Sequence, residues 1–281
     1  MFRDLGKAQD TVLHGSAPGG PGSSCRRSSA PDLSRPGGSR RRPKIGGMEL
    51  VPGVRVAVTD RHGGVSAPPY GSRNLGGLTG DDPGAVRANR AGLTAELGVR
   101  AVVYMRQVHG TEVAYVSEPF GEGAPPVDGV FTTEPGLALA SLGADCPAVL
   151  VADPVARMVG AAHSGRPGTE AGIAAALVEA MAGKGAEPAR MAALIGPGAC
   201  GRCYEVPAEL RDQVAAKVPQ AHATTSWGTP ALDLRAGIEA QLRAAGVAEV
   251  RHDARCTIES VELYSHRRQD PGRFAGLIWL M

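Results

Sequence analysis

Four short apolar segments follow one another without a helix-sized stretch between them: Gly129–Thr132, Leu137–Leu142, Ala148–Ala152 and Met158–Ala162. Each is closed by breaker residues, as in Pro135-Gly136, Asp145-Cys146-Pro147 and Asp153-Pro154. Segments this short are ordinary strands but make at most one or two helical turns. Elsewhere strands and helices alternate. Strands are predicted at Val54–Thr59, Ala101–Met105, Glu112–Val116, Met191–Ile195 and Phe274–Leu280, the last apolar enough to be central. Helices are predicted from Asp82 (N-cap, with Pro83 at the first helical position) to a stop at Gly98, and over Thr169–Ala182, Ala208–Lys217 and Leu234–Ala245. Residues 60–83, broken by Gly63-Gly64, Pro68-Pro69 and Gly76-Gly77, read as loop. Consecutive strands in the centre and single strands with helices around them favour an α+β fold over a doubly wound Rossmann fold. The expectation is one domain with mixed β-sheets flanked by helices.

That pattern starts only at Met48. Residues 1–47 are crowded with Gly, Pro and Ser, and hold nine Lys/Arg against Asp4, Asp10 and Asp32. Of the formal net charge of +2, this stretch supplies +6 and leaves −4 for residues 48–281. A segment without apolar periodicity cannot offset its ordering entropy, so 1–47 reads as a disordered basic tail, or as residues upstream of a true start at Met48. Arg40-Arg41-Arg42 as a nucleic-acid arm is the competing reading. No apolar stretch follows the N-terminal charges, which argues against a secretory signal.

Composition removes several function classes. Only 11 of 281 residues are aromatic, which disfavours a base-stacking single-strand binder, and +2 disfavours a protein that coats nucleic acid. No apolar run of about 18 residues is present to span a membrane. Seven His without a His-x-His pair supply a set of copper centres poorly. Five Cys in a chain this large suit a reducing cytosol, and a cytoplasmic monomer is expected.

Three groups of residues could do chemistry. His109, Cys146 and His163 each stand at a predicted strand end beside residues that allow close backbone approach. Two His and one Cys can form a three-ligand zinc site with an open fourth position; a Cys–His nucleophile pair is the rival. Cys200-Gly201-Arg202-Cys203 is a Cys-x-x-Cys without a second copy, which disfavours a Cys₄ zinc site, and it lacks the helix start of a thioredoxin motif. It reads as a tight Gly-rich loop whose N–H groups and Arg202 face a ligand or a neighbouring loop. The third group is Cys256-Thr257, followed by Tyr264-Ser265-His266-Arg267-Arg268-Gln269 and Gly272-Arg273; its three Arg are a solvated or salt-bridged face or, in a loop opposite a metal, an anion site, since guanidinium matches phosphate in two-point geometry.

Thr59-Asp60-Arg61-His62-Gly63-Gly64-Val65-Ser66, Asn74-Leu75-Gly76, Gly80-Asp81-Asp82-Pro83, Gln107-Val108-His109-Gly110, Asp128-Gly129, Asp145-Cys146-Pro147, Ala162-His163-Ser164-Gly165, Ile195-Gly196-Pro197, Cys203-Tyr204-Glu205-Val206, Cys256-Thr257 and Ser265-His266-Arg267-Arg268 occur in one order. In this the chain resembles the laccase-domain proteins, also called the polyphenol oxidase or peptidoglycan editing factor family, over about residues 54–280. The resemblance implies a zinc-dependent purine nucleoside phosphorylase with adenosine deaminase activity, with His109, Cys146 and His163 as ligands. Adenosine, inosine and methylthioadenosine would be its substrates together with orthophosphate. On this reading Asn74, Arg61 and Arg268 are catalytic candidates, and Arg267 and Arg273 bind substrate. A peptidoglycan-precursor hydrolase using Cys146 or the metal, and a copper-dependent phenol oxidase, are the alternatives. One departure concerns specificity. The family often reads Ala-His-Ala-Gly-Trp-Arg-Gly where this chain has Ala162-His163-Ser164-Gly165-Arg166-Pro167-Gly168, so an aromatic is missing and the Arg stands one position earlier.

Overall fold

The computed structural model describes residues 47–121 and 123–281, so the expected tail over 1–47 lies outside the described residues except for Gly47. In chain order the elements are β1 (Met48–Val51), β2 (Val54–Val58), α1 (Pro83–Leu97), β3 (Ala101–Tyr104), β4 (Val113–Tyr115), β5 (Gly129–Thr132), β6 (Leu137–Gly143), β7 (Ala148–Asp153) and β8 (Met158–His163). There follow α2 (Arg166–Ala171), α3 (Ile173–Ala182), β9 (Ala192–Ile195), α4 (Ala208–Lys217), β10 (His222–Thr224), β11 (Pro230–Leu232), α5 (Leu234–Ala244), β12 (Glu249–His252) and β13 (Phe274–Leu280).

The four central segments divide between two sheets. One has the order β1-β2-β13-β6-β3, and the other β12-β9-β7-β8-β5-β4. Both are mixed: β3 runs parallel to β6, β4 to β5 and β12 to β9, while the other pairs are antiparallel. Period-two alternation then sorts side chains onto three buried layers. Leu137, Leu139, Ile278 and Leu280 of the first sheet meet Leu150, Ala152, Val159 and Leu194 of the second. On the outer face of the first sheet, Ala138, Ala140, Leu277 and Trp279 pack against Leu93 of α1. On the outer face of the second, Val149, Val151 and Ile195 pack against Ile173, Leu177 and Met181 of α3 and Ile238 and Leu242 of α5. Strands covered on both faces explain why these segments are apolar throughout. Each fully buried Leu or Ile contributes about 1.5–3 kcal/mol of transfer free energy.

The α+β expectation holds, and β13 is central, paired to β2 and β6. Helix α1 begins as read: the Asp82 side chain accepts from the N–H groups of Gly84 and Ala85, and Gly98 closes the helix with φ +67. One helix differs. The stretch expected as a single helix over 169–182 is broken at Gly172, whose φ of +91 ends α2 and restarts the chain as α3. Among the described residues, no helix is long and apolar enough to cross a membrane.

Candidate metal centre

His109, Cys146 and His163 come from separate places in the sequence to one edge of the second sheet. His163 is the last residue of β8, Cys146 lies in the turn between β6 and β7, and His109 lies in the loop between β3 and β4. Pairing does the assembly: Ala148 of β7 stands opposite His163, and Gly129 of β5 opposite Ala162. The β3–β4 loop is tied to the end of β6 by Gln107, whose side chain donates to the Leu142 carbonyl (2.9 Å) and accepts from the Leu142 N–H (2.8 Å). The ligand atoms of the three residues all lie within 4.8 Å of one another. Cys146 Sγ is 3.9 Å from His109 Nε2, and the two imidazoles meet edge to face with centroids 4.7 Å apart.

Asp128 is the hub. Its buried carboxylate accepts from the N–H groups of Val108 (3.0 Å), His109 (3.0 Å) and Gly110 (2.7 Å), and pairs with His163 Nδ1 (2.8 Å). It thereby holds His109 in the left-handed region (φ +64), where an L residue is strained, and leaves His163 Nε2 to face Cys146. Asp145 does the same for Cys146. At φ +92 it is fixed by Thr257 Oγ1 (2.6 Å) and the Arg267 N–H (2.8 Å) on its carboxylate, and by the Ala199 N–H (3.0 Å) on its carbonyl. Gly165 forms the floor: a Cβ there would stand 2.6 Å from His109 Cδ2 and 2.9 Å from Cys146 Sγ.

The electrostatics suit a cation. Burial pushes the Cys146 thiol up, but the hydrogen bonds and charges of His109 and His163 outweigh it and bring it down to about 6. Burial pushes His163 down, and its bonds to Asp128 and Cys146 outweigh that and raise it to about 9. Burial likewise opposes ionisation of Asp128, yet His163 and the Gly110 and Val108 N–H groups hold it below the usual carboxylate range. A proton on His163 and a bound cation would compete for the same imidazole nitrogen, and the lowered thiol favours the thiolate that a metal needs. Two imidazoles and one thiol converging within 4.8 Å fit a borderline-soft divalent ion with one coordination position left over.

The other candidates are spread around this edge. Arg267 is exposed, lies over the Tyr204 ring at 4.5 Å and donates to the Glu205 carbonyl (2.7 Å), next to Asp145. Burial pushes the Tyr204 phenol up, against the charges of Arg267 and Arg166, while Cys146 adds to the rise. Arg268 points into its own loop, donating to the carbonyls of Thr257, Ile258, Ser260 and Leu263 and to Asp270. Arg61 pairs with Asp270 (3.3 Å) and stacks on Tyr264, and Arg273 donates to the carbonyls of Pro271 and Gly272. Asn74 is buried, with its amide donating to Thr79 Oγ1 (2.8 Å) and Asp81 (2.9 Å) and accepting from Gly76 and Arg273 N–H groups. It ties loops together.

Asp128, Asp145, Gly165 and Arg166 were not singled out as site residues from the sequence. Asp-Gly reads as a turn, and only the β5–β8 pairing shows which His it serves. The Cys-x-x-Cys loop faces a neighbouring loop, as one of its two expected readings has it, and the contact adds two ligand-type residues to the pair. Gly198 and Cys256 form a parallel bridge, and this places Cys256 and Glu259 beside Cys200 and Cys203, with all four ligand atoms within 4.8 Å. The pair is half of a four-residue cluster whose other half lies more than 50 residues away. Burial raises all three thiols; a bond from Cys256 and the Arg202 N–H bring Cys200 below its usual value, whereas neighbouring sulfurs push Cys203 and Cys256 further up.

Two packed mixed sheets with a His₂Cys cluster at one edge define the class. The family model described as multi-copper polyphenol oxidoreductase laccase matches residues 55–281, and the chain belongs to that family. It is 54% identical over 240 residues to purine nucleoside phosphorylase SCO2081 of Streptomyces coelicolor, covering 84% of this chain and 99% of the relative. It is 47% identical over 230 residues to purine nucleoside phosphorylase Rv2149c of Mycobacterium tuberculosis, covering 81% and 92%. Among solved structures, protein NMB0706 of Neisseria meningitidis superposes with a TM-score of 0.76 at 32% identity, over 84% of this chain and 99% of its own. YlmD of Geobacillus stearothermophilus gives 0.75 at 34% identity, over 82% and 92%.

Proposed function

We propose that the chain is a zinc-dependent purine nucleoside phosphorylase. It would cleave the C1′–N9 bond of adenosine, inosine or methylthioadenosine, with a phosphate oxygen bonding to C1′ and the free base taking up a proton. The observation that supports this best is the convergence of His109, Cys146 and His163 over Gly165, beside exposed Arg267, in a chain 54% identical to a relative of that name. Zinc held by these three residues would supply a Lewis acid with one open position. Arg267 is the phosphate holder we assign among the four Arg candidates, because it is the exposed one and its guanidinium donates to the single Glu205 carbonyl, whereas Arg61 and Arg268 pair with Asp270 and Arg273 donates to two main-chain carbonyls. Arg166, the residue after Gly165, pairs with Glu170 (3.5 Å) and, like Arg267, acts on the Tyr204 phenol. Tyr204, half-buried under Arg267, offers a ring face and a neutral phenol to the sugar or base. Asp128 keeps His163 Nδ1 protonated, so the imidazole stays fixed as a ligand through turnover. Adenosine deamination is the proposed side activity of the same site.

Copper oxidase chemistry has a poorer fit. Of seven His, only His109 and His163 belong to a metal-capable group among the described residues, and multicopper chemistry draws on many imidazoles. The test is incubation with adenosine, with and without orthophosphate. Phosphate-dependent release of adenine and ribose 1-phosphate is expected, with inosine in both cases. Zinc-loaded protein that releases no base with phosphate would refute the reading.

A further inference from the structure

We infer that Cys200, Cys203, Cys256 and Glu259 form a second metal site, closed and structural, for a divalent ion of the zinc type. The four residues make two pairs of equal spacing, Cys200-x-x-Cys203 and Cys256-x-x-Glu259. Each pair sits on its own tight turn: the Cys203 and Tyr204 N–H groups both donate to the Cys200 carbonyl (2.9 Å each), and the Ser260 N–H donates to the Cys256 carbonyl (2.9 Å). Two such turns facing each other are how a protein presents four donors to one tetrahedral ion. The mutual distances agree: every ligand atom is within 4.8 Å of the others, and a tetrahedron with metal–sulfur bonds of about 2.3 Å has edges of about 3.8 Å.

The surroundings are those of a bound anion-rich centre. The Cys200 N–H points at Cys256 Sγ (3.4 Å), the main-chain-to-sulfur bond that orients a thiolate ligand. Cys203 Sγ approaches Glu259 Oε1 (3.4 Å). The Arg202 guanidinium interacts with Cys200, and Arg268 grips the Thr257 and Ile258 carbonyls inside the second turn. All three sulfurs are buried, while Glu259 is exposed and closes the site from outside. A disulfide is the other use of such thiols, and it would leave one of the three sulfurs and the carboxylate without a role.

The site would brace the catalytic edge. Ala199, next to Cys200, donates to the Asp145 carbonyl, and Thr257, next to Cys256, donates to the Asp145 carboxylate. The two turns thus hold the left-handed residue that precedes Cys146, and Tyr204 follows Cys203 directly. An ion here would fix both loops at once without touching substrate.

The test is metal stoichiometry on the full chain purified from zinc-supplemented culture. Two zinc equivalents per chain are expected, falling to one in Cys203→Ser and to one in His163→Ala. Where Cys203→Ser fails to fold, Cys146→Ala answers instead, since it leaves this cluster intact. Cobalt-exchanged Cys146→Ala should keep the intense thiolate-to-cobalt charge-transfer absorption and tetrahedral visible bands. Thiol titration of the unfolded chain should find all five Cys reduced. A parent chain that holds only one zinc, a Cys203→Ser chain that keeps the parent's full zinc content, no thiolate–cobalt absorption in Cys146→Ala, or a thiol count short by two would each overturn the site.

Discussion

The molecule carries two clusters of soft ligands on neighbouring loops, and they differ in how they are finished. His109 comes from a loop, Cys146 from a turn and His163 from a strand end; they leave an exposed imidazole and enclose a cradle that Gly165 keeps open. Cys200, Cys203, Cys256 and Glu259 come from two facing turns, and their sulfurs are buried. Three donors with room beside them suit a reaction, whereas four donors with none suit a brace. Sequence spacing points the other way: the compact Cys-x-x-Cys is the more conspicuous motif, yet the trio proposed to react is scattered. Asp145 precedes Cys146 and binds Ala199 and Thr257, the residues beside Cys200 and Cys256, so the distinction is one of role within a single edge and not of separate domains.

Four changes would break or sharpen this contrast. His109→Ala should lower phosphorolysis at least about 10³-fold, by loss of several kcal/mol of transition-state stabilisation, with a thermal midpoint close to the parent. Cys256→Ser should do the reverse, lowering unfolding free energy by about 4 kcal/mol or more in denaturant titrations, while folded molecules retain measurable turnover. A Cys256→Ser protein as stable as the parent would erase the difference between the clusters. Asp128→Asn weakens the hub without removing a ligand. Zinc competition with a chelator should show affinity at the trio reduced about 10–100-fold, with the second equivalent unchanged.

The smallest effect is expected far from both. Asp153, fully buried, accepts from the N–H groups of Val155, Ala156 and Glu187 and from Arg190. Burial opposes its ionisation, but these bonds outweigh it and hold its carboxyl below the usual range. A folded pKa below the unfolded one means the contribution is complete above the unfolded value of about 4 and is lost as pH falls through the folded value. Asp153→Asn should flatten the acid limb of the stability–pH curve and leave both metal equivalents in place.

The mixed-sheet α+β fold was legible because both sheets are covered on both faces, so β6, β7, β8 and β13 are mostly apolar, with Ser141, Asp153 and His163 the polar exceptions. β10 and β12, short and polar with His222, Thr224, Glu249 and Arg251, carry no such signal. Gly172 was invisible for a different reason: helices tolerate glycine, and only its positive φ reveals the break between α2 and α3. At the site, His109, Cys146 and His163 could be picked out because each stands at a strand end among small residues. Asp128 could not, since its partners are set by strand pairing. Cys256 stood in the third group, but its place beside Cys200, and that of Glu259, could not be read, because the bridge that joins them closes a loop longer than any motif spacing. Asn74 stood out as a polar residue between glycines, and that same setting lets it bind four backbone and side-chain partners of its own.

The central claim is that the three-ligand cluster performs the chemistry. It is tested most directly by ribose 1-phosphate formation from adenosine and orthophosphate, measured side by side for the parent, His109→Ala and Cys203→Ser, each normalised to folded protein. Near-complete loss in His109→Ala with turnover surviving in Cys203→Ser is the predicted result. Phosphorolysis that persists in His109→Ala and vanishes in folded Cys203→Ser would place the chemistry at the wrong cluster and contradict the account.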